Sequence, residues 1–570
     1  MMHIRVREVG FGLAAMAMVE ASALAKAPTN KLMTVGVTQE FETLNPILSS
    51  MVASTYLVGL TNRPLAVINQ EWNWTCMGCE VLPSFDNGLA RWVEKNGTKR
   101  LEVEWRLAKG QVWGDGTPLT AKDYALRIEV GKAPNVEIPS RDLYDNIESV
   151  TLDPKDPLKF TLTHKEGRYD FYQLSIGPLP AHIEGPIWEK TKGEMGAYEK
   201  QTAYVTNPTL AGLYSGPYVV SEMKLGSHVI FTRNPHFSGE KPKIESLVYK
   251  LIPNTQSLEA SLVSGDIDLV GELGFTFDQA IQFERRLARD PALKGLYKVL
   301  FRQGLTYEHV DFNLRNPILQ DVRVRKALAY GVDREKMVQA LFDGRQPVAH
   351  SNIHPLDPYY AEDTPKYPYD PDKAKALLEE AGWKVGGDGI RVKDGKRLEL
   401  PIMTTSQNKT RELVQVFLQQ EWRKIGVAVP IKNEPARVFF AETMKKGAFP
   451  ALAMYAWVSS PDSPPKSTLH SKEVPTKENS FTGQNYPGWV NKRADELLDK
   501  VFVEFDAAKR KTMMAELQRI YAEELPALPL YLRSEIAVLP ANLTGYALSG
   551  HQFFSSLWAE KWSLGGQAAH

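Results

Sequence analysis

The chain has 570 residues, 43% hydrophobic and 24% charged, which excludes a disordered or fibrous protein and gives enough length for two or three cores. Lys+Arg and Asp+Glu both total 68, so no basic surplus remains to neutralise nucleic-acid phosphates or an anionic membrane, and nucleic acid is excluded as a partner.

At the start of the chain Arg5 and Arg7 precede an apolar stretch from Val9 to Val19, and small residues follow at Ala21, Ala23 and Ala25. This pattern predicts a secretory signal peptide over 1–25 and an exported mature protein in the periplasm. No Cys stands at the cleavage site to carry a lipid. No later stretch reaches the roughly 18 consecutive apolar residues of a membrane span.

Leu32 to Val37 reads as a strand ended by the turn Leu44-Asn45-Pro46. The only two cysteines, Cys76 and Cys79, are spaced C-x2-C; in an oxidising compartment they predict a small loop disulfide. Zinc would need further ligands that no second Cys pair supplies. Val103 to Leu107 alternates as a strand and enters the turn series Gly110 to Pro118. Thr120 stands three residues before Asp123, the spacing of a capping box, and predicts a helix through about Val130.

Strands resume near Tyr214, and the middle of the chain is helical. Asp321 and Asp333 cap successive helices, the second with Met337, Val338, Leu341 and Phe342 on one face. Asp370-Pro371 opens another, which Gly382 closes. Further helices are expected over Arg411 to Ile425 and Asp506 to Glu523, then a strand over Leu528 to Leu532. Strands and helices mix throughout, so the fold class is α/β.

The common local signatures of catalysis are absent: no G-x-S-x-G, H-E-x-x-H, G-x-x-x-x-G-K-[ST] or G-x-G-x-x-G before a helix. His350 and His354 are four apart, but Pro347 and Pro355 argue against a helix that would align them on a metal. A carboxylate pair that meets only in space has no sequence signature. The balance favours binding over chemistry, with no catalytic residue, no metal and no cofactor.

The stretch from Trp105 to Asp123 resembles a signature of the bacterial extracellular solute-binding proteins that include the dipeptide- and oligopeptide-binding receptors of ABC importers. Leu179 to His182, Ser215 to Tyr218, Arg233 to Phe237, Val322 to Leu328 and Tyr369 to Ala374 are similar to further family segments and fall in family order. The resemblance implies a two-lobed periplasmic-binding-protein clamp with an extra inserted domain. Lobe I is expected from 26–65, 206–300 and 530–570, the inserted domain from 66–205, and lobe II from 301–529.

It implies a monomer that captures a small peptide or peptide-like ligand by hinge closure and passes it to an ABC transporter permease. A non-peptide solute (an opine, a sugar or chelated nickel) is the alternative, and a cleft hydrolase a remoter one. In the family's peptide receptors a Trp followed three positions later by Asp supplies the carboxylate for the peptide's α-ammonium. Here Trp457-Val458-Ser459-Ser460 places Ser460 at that position, and Asp462 is the nearest carboxylate. By position in the resemblance, the remaining cleft candidates are Thr43, Leu44, Asn45, Tyr214, Ser215, Gly216 and Tyr455.

Overall fold

The computed structural model describes residues 29–252 and 254–565. The predicted signal peptide at 1–25 lies outside them. The fold is α/β, organised on a nine-stranded sheet. Across that sheet the order is Ile402–Met403, Leu452–Val458, Tyr297–Phe312, Ala527–Pro540, Leu269–Val270, Leu32–Val37, Ser246–Leu251, His228–Arg233 and Tyr218–Lys224.

Leu32–Val37 shows why the sheet sits where it does. Its odd-numbered residues Met33, Val35 and Val37 are buried in a core built chiefly from 33–249 and 537–564. Its other face is covered by the segment containing helix Thr255–Val263: a side chain on Gly36 would stand 2.4 Å from Ile267 and 2.7 Å from Leu258. Leu258 and Ile267 belong to a second core that runs on through 310–454 and 525–538. The period-two alternation thus faces an apolar layer on both sides.

The two long strands Tyr297–Phe312 and Ala527–Pro540 pair antiparallel along most of their length. The register slips at two places: between Gln303↔Ser534 and Thr306↔Arg533, where Gly304 and Leu305 form a bulge, and between Glu308↔Tyr531 and His309↔Pro529. Gly304 is required by a close crossing, because a Cβ there would lie 3.0 Å from the Gly550 carbonyl oxygen. Leu305 N donates to that same oxygen at 2.7 Å. The sequence predicted this second strand only over Leu528 to Leu532. Arg533, Ser534 and Glu535 break the apolar run, but the backbone continues to pair through them because their side chains meet a cavity.

The expected helix starts are present. Asp321, Asp333, Asp370 and Asp506 each accept from a backbone N–H in the first turn of Val322–Tyr330, Arg334–Phe342, Pro371–Glu380 and Ala507–Glu524. The helix expected over Arg411 to Ile425 spans Lys409–Lys424, capped by Asn408.

A separate antiparallel sheet in the order Ala90–Lys95, Thr98–Arg106, Lys159–His164, Ile147–Leu152 carries helix Ala121–Lys132 between its second and third sheet neighbours in the chain. Its Leu101, Val103 and Trp105 join the first core. Cys76 and Cys79 are disulfide-bonded just before it, with Cα atoms 5.1 Å apart. The turn series after Trp105 is a hub. Gly114 N donates to Tyr214 O at 2.8 Å, Asp115 and His182 pair at 2.9 Å, and Asp123 accepts from Thr120 N at 2.7 Å and Ala181 N at 2.8 Å.

Candidate ligand-binding site

The cavity lies at the bulge, with a volume of about 400 Å³, within the range of small-molecule sites. Thr306 and Tyr307 on one long strand and Arg533–Ile536 on the other form its floor. Around them stand the loops 48–52 and 272–276, Asn408 and Arg411 at the start of helix Lys409–Lys424, and Phe440 and Lys445 on and after the short π-helical turn Phe439–Met444. Strand Leu452–Val458 contributes its last four residues, and the chain beyond it Ser459, Ser460 and Ser463.

One wall is aromatic. Trp457 and Tyr486 stack with ring centroids 5.8 Å apart and planes 24° apart, and Tyr455 meets Trp457 edge-on at 5.3 Å. The Tyr455 hydroxyl donates to Asp311 at 2.5 Å, so its ring rather than its OH is offered to the cavity.

The cations on the wall are already engaged. Arg411 pairs with Glu308 at 2.6 Å and Arg533 with the same carboxylate at 3.3 Å. Burial works against the charge of Glu308, but the two guanidiniums hold its pKa below the usual value. Burial lowers the pKa of His354 to about 4, leaving a neutral ring whose Nδ1 accepts from Leu356 N. Burial raises Asp357 to about 7, and raises Glu535 to about 8 with the charge of Glu272 adding to it.

Of the residues the sequence singled out, Tyr455, Trp457, Ser459 and Ser460 are on this wall. Ser460 is 2% exposed and its Oγ has no partner, whereas Ser459 Oγ donates to Leu305 O at 3.1 Å. Asp462 is not on the wall. Its backbone has a positive φ of 57°, its carbonyl accepts from Tyr169 OH at 2.9 Å, and burial raises its pKa beside Tyr359 and Arg510.

Thr43, Leu44 and Asn45 stand behind the wall, each buried. Asn45 Nδ2 donates to Tyr198 OH at 3.2 Å and Thr202 Oγ1 at 3.0 Å, while Thr43 Oγ1 accepts from Asn45 N at 3.1 Å. Tyr214, Ser215 and Gly216 are scaffold as well. Tyr214 OH donates to Pro208 O at 2.5 Å, Ser215 is buried, and Gly216 N donates to Thr61 O at 2.8 Å so closely that a Cβ would reach 2.5 Å from the Thr61 carbonyl carbon.

The sequence reading missed Tyr307, Arg411, Tyr486, Glu272 and Glu535. One local signal pointed near Glu272: Thr276 and Gln279 form a capping box that opens helix Phe277–Arg289 just beyond it. No group of three or more His, Cys, Asp or Glu side chains that could hold a metal ion occurs among the described residues.

Residues 86–477 match the model of the bacterial extracellular solute-binding proteins, family 5. The chain belongs to this family. Family members bind solutes and are not enzymes.

Over 540 residues the chain is 28% identical to the oligopeptide-binding protein AppA of Bacillus subtilis, covering 93% of this chain and 91% of that one. It is 27% identical to the nickel-binding periplasmic protein of Escherichia coli over 70% of this chain and 72% of that one. Among solved structures, the oligopeptide-binding protein of Thermus thermophilus complexed with a pentapeptide matches with a TM-score of 0.84 and 31% identity, covering 94% of this chain and 96% of that one.

Proposed function

We propose that this family member is the periplasmic receptor of an ABC importer and captures peptide-like solutes by closure of two lobes over the cavity at the bulge. What chiefly supports the reading is the likeness, over 94% of the chain, to a receptor whose structure holds a pentapeptide. A cavity of about 400 Å³ with one aromatic wall suits such cargo. A peptide backbone presents N–H and C=O groups that must find partners once out of water, and strand edges and loop amides on a cavity wall can supply them whatever the side chains.

In this reading lobe I comprises 26–65, 206–300 and 530–570, lobe II 301–529, and 66–205 the insertion. The two crossings between lobes then fall at 300/301 and 529/530, on the two long strands and on either side of the bulge at Gly304. A bulged pair has lost ladder bonds at one point and bends there more readily than a regular one, which fits a hinge. The predicted signal peptide supports export.

A non-peptide solute, such as an opine or a nickel chelate, is the second reading. Ser460 favours it, because this position carries a neutral hydroxyl. Native mass spectrometry of protein purified without denaturation, followed by calorimetry with peptides of two to nine residues, tests the choice. A co-purified or titrated peptide is the expected result. Binding of an opine, a sugar or a nickel chelate with no response to any peptide overturns the peptide reading.

A further inference from the structure

The charges on the cavity wall do not balance. Arg411 and Arg533 are paired with Glu308, and Lys445 with Glu137 at 3.2 Å; neither of those carboxylates lines the cavity. Four other carboxylates do line it: Glu42, Glu272, Asp357 and Glu535. None of them has an ion-pair partner among the described residues. Every wall cation is therefore spoken for, and the titratable groups left without an ion-pair partner on the wall are carboxyls, which a bound cation would hold ionised.

Two of these acids occupy one end. Glu272 is fixed from behind, its Oε1 accepting from Ser555 N at 3.1 Å and its Oε2 from Tyr546 OH at 2.6 Å and Ser555 Oγ at 3.1 Å. Glu535 Oε2 accepts from Gly550 N at 2.8 Å, while its Oε1 is buried and has no partner. Arg302, the nearby cation, donates instead to the carbonyls of Leu548 and Gln70, each at 2.7 Å.

Ser460 flanks the same place. Ser459 N donates to Leu305 O at 2.9 Å, Leu305 N to Gly550 O at 2.7 Å, and Gly550 N to Glu535. The Ser460 hydroxyl, 2% exposed on the cavity wall, has no partner either. Two orphaned oxygens and a second anchored carboxylate thus border the one cavity beside the bulge. Buried acceptors of this kind call for a donor, and for anions a charged one.

We infer that the cargo is an organic cation whose ammonium or guanidinium group sits between Glu272 and Glu535, with Ser460 Oγ as a further acceptor. The inference rests on the solute-receptor reading and adds to it the sign of the cargo. An α-ammonium, a Lys or Arg side chain, or a polyamine satisfies it equally, since all present N–H donors on a positive charge.

Calorimetry on the full mature protein, stripped of cargo, tests it with four probes: tetra-alanine amide with a free amino end, its N-acetyl form, N-acetyl-Ala-Ala-Lys-Ala amide, and spermidine. The three cationic probes are expected to bind at least about 30-fold more tightly than N-acetyl-tetra-alanine amide, the scale of a buried charge pair. The double variant Glu272→Gln, Glu535→Gln should bring that ratio below about threefold. If the variant does not fold, the ratio in the unaltered protein decides. Neutral peptides binding as tightly as cationic ones would overturn the cation site and leave the peptide reading standing. Spermidine binding with no response to any peptide would do the reverse.

Discussion

The hub around Trp105–Asp123 and the cavity wall are built in opposite ways. In the hub one continuous stretch does nearly everything: Trp105 and Trp113 fill the first core, Gly116 takes the positive φ of a turn, and Thr120 and Asp123 start a helix. The same stretch ties down Tyr214 and Ala181 by hydrogen bonds. The wall instead is assembled from many short, separate segments between Thr38 and Phe554. A hub residue answers to packing that admits one solution, whereas a wall residue answers to whatever fills the cavity. The hub therefore identifies the fold and the wall identifies the cargo.

Trp113→Ala is the most severe break on the hub side. The indole is fully buried, so its removal is expected to cost about 3–5 kcal/mol of stability, read as a shift of the urea midpoint. Cargo affinity of the molecules that remain folded should be unchanged, since Trp113 does not reach the wall. A large loss of affinity in the folded fraction would erase the distinction between the two regions.

Trp457→Ala is the complementary break. Its ring is partly open to the cavity and stacks on Tyr486, so its loss should weaken cargo by about 2 kcal/mol, roughly 30-fold, as for an aromatic anchor in a pocket. Its effect on the melting temperature of the empty protein should be much smaller than that of Trp113→Ala. The reverse ordering would mean that Trp457 is a core residue that happens to border a void.

The same division explains what could be read from the sequence. Helix caps are local: an Asp followed by the right periodicity is enough, and Asp321, Asp333, Asp370 and Asp506 all cap as expected. The wall side chains of Trp457 and Tyr455 were reachable only through family resemblance. Glu535 was hidden because polar residues interrupt the apolar pattern that marks a strand, and Glu272 because its partners, Tyr546 and Ser555, lie more than 270 positions away. Tyr214 and Asn45 were singled out by their place beside turns and do not line this cavity. Polar or aromatic residues beside turns look like ligand contacts, and here they bond other parts of the scaffold.

The finest test of the comparison is titration. Glu535, raised to about 8 by burial and by Glu272, carries a proton in the folded protein over a range where the unfolded chain, with a carboxyl near 4.3, does not. The native state then binds more protons, so this group's contribution to stability is fully present below the unfolded value and is lost as pH rises through about 8. Asp357, at about 7, acts in the same sense. Glu308, held low by Arg411 and Arg533, opposes them at the acid end, where its contribution disappears as pH falls. The empty protein should therefore melt at lower temperature as pH rises from about 6 to about 8.5, and Glu535→Gln should flatten that decline. Arg302 and Glu272 are the charged groups facing Glu535 and are present in both forms, so the difference isolates the one carboxyl. A cationic ligand takes the place of the proton, so spermidine should bind more tightly across the same interval and release a proton near pH 7, measurable by calorimetry in buffers of different ionisation enthalpy. Proton uptake on binding would put the ligand's charge somewhere other than beside Glu535.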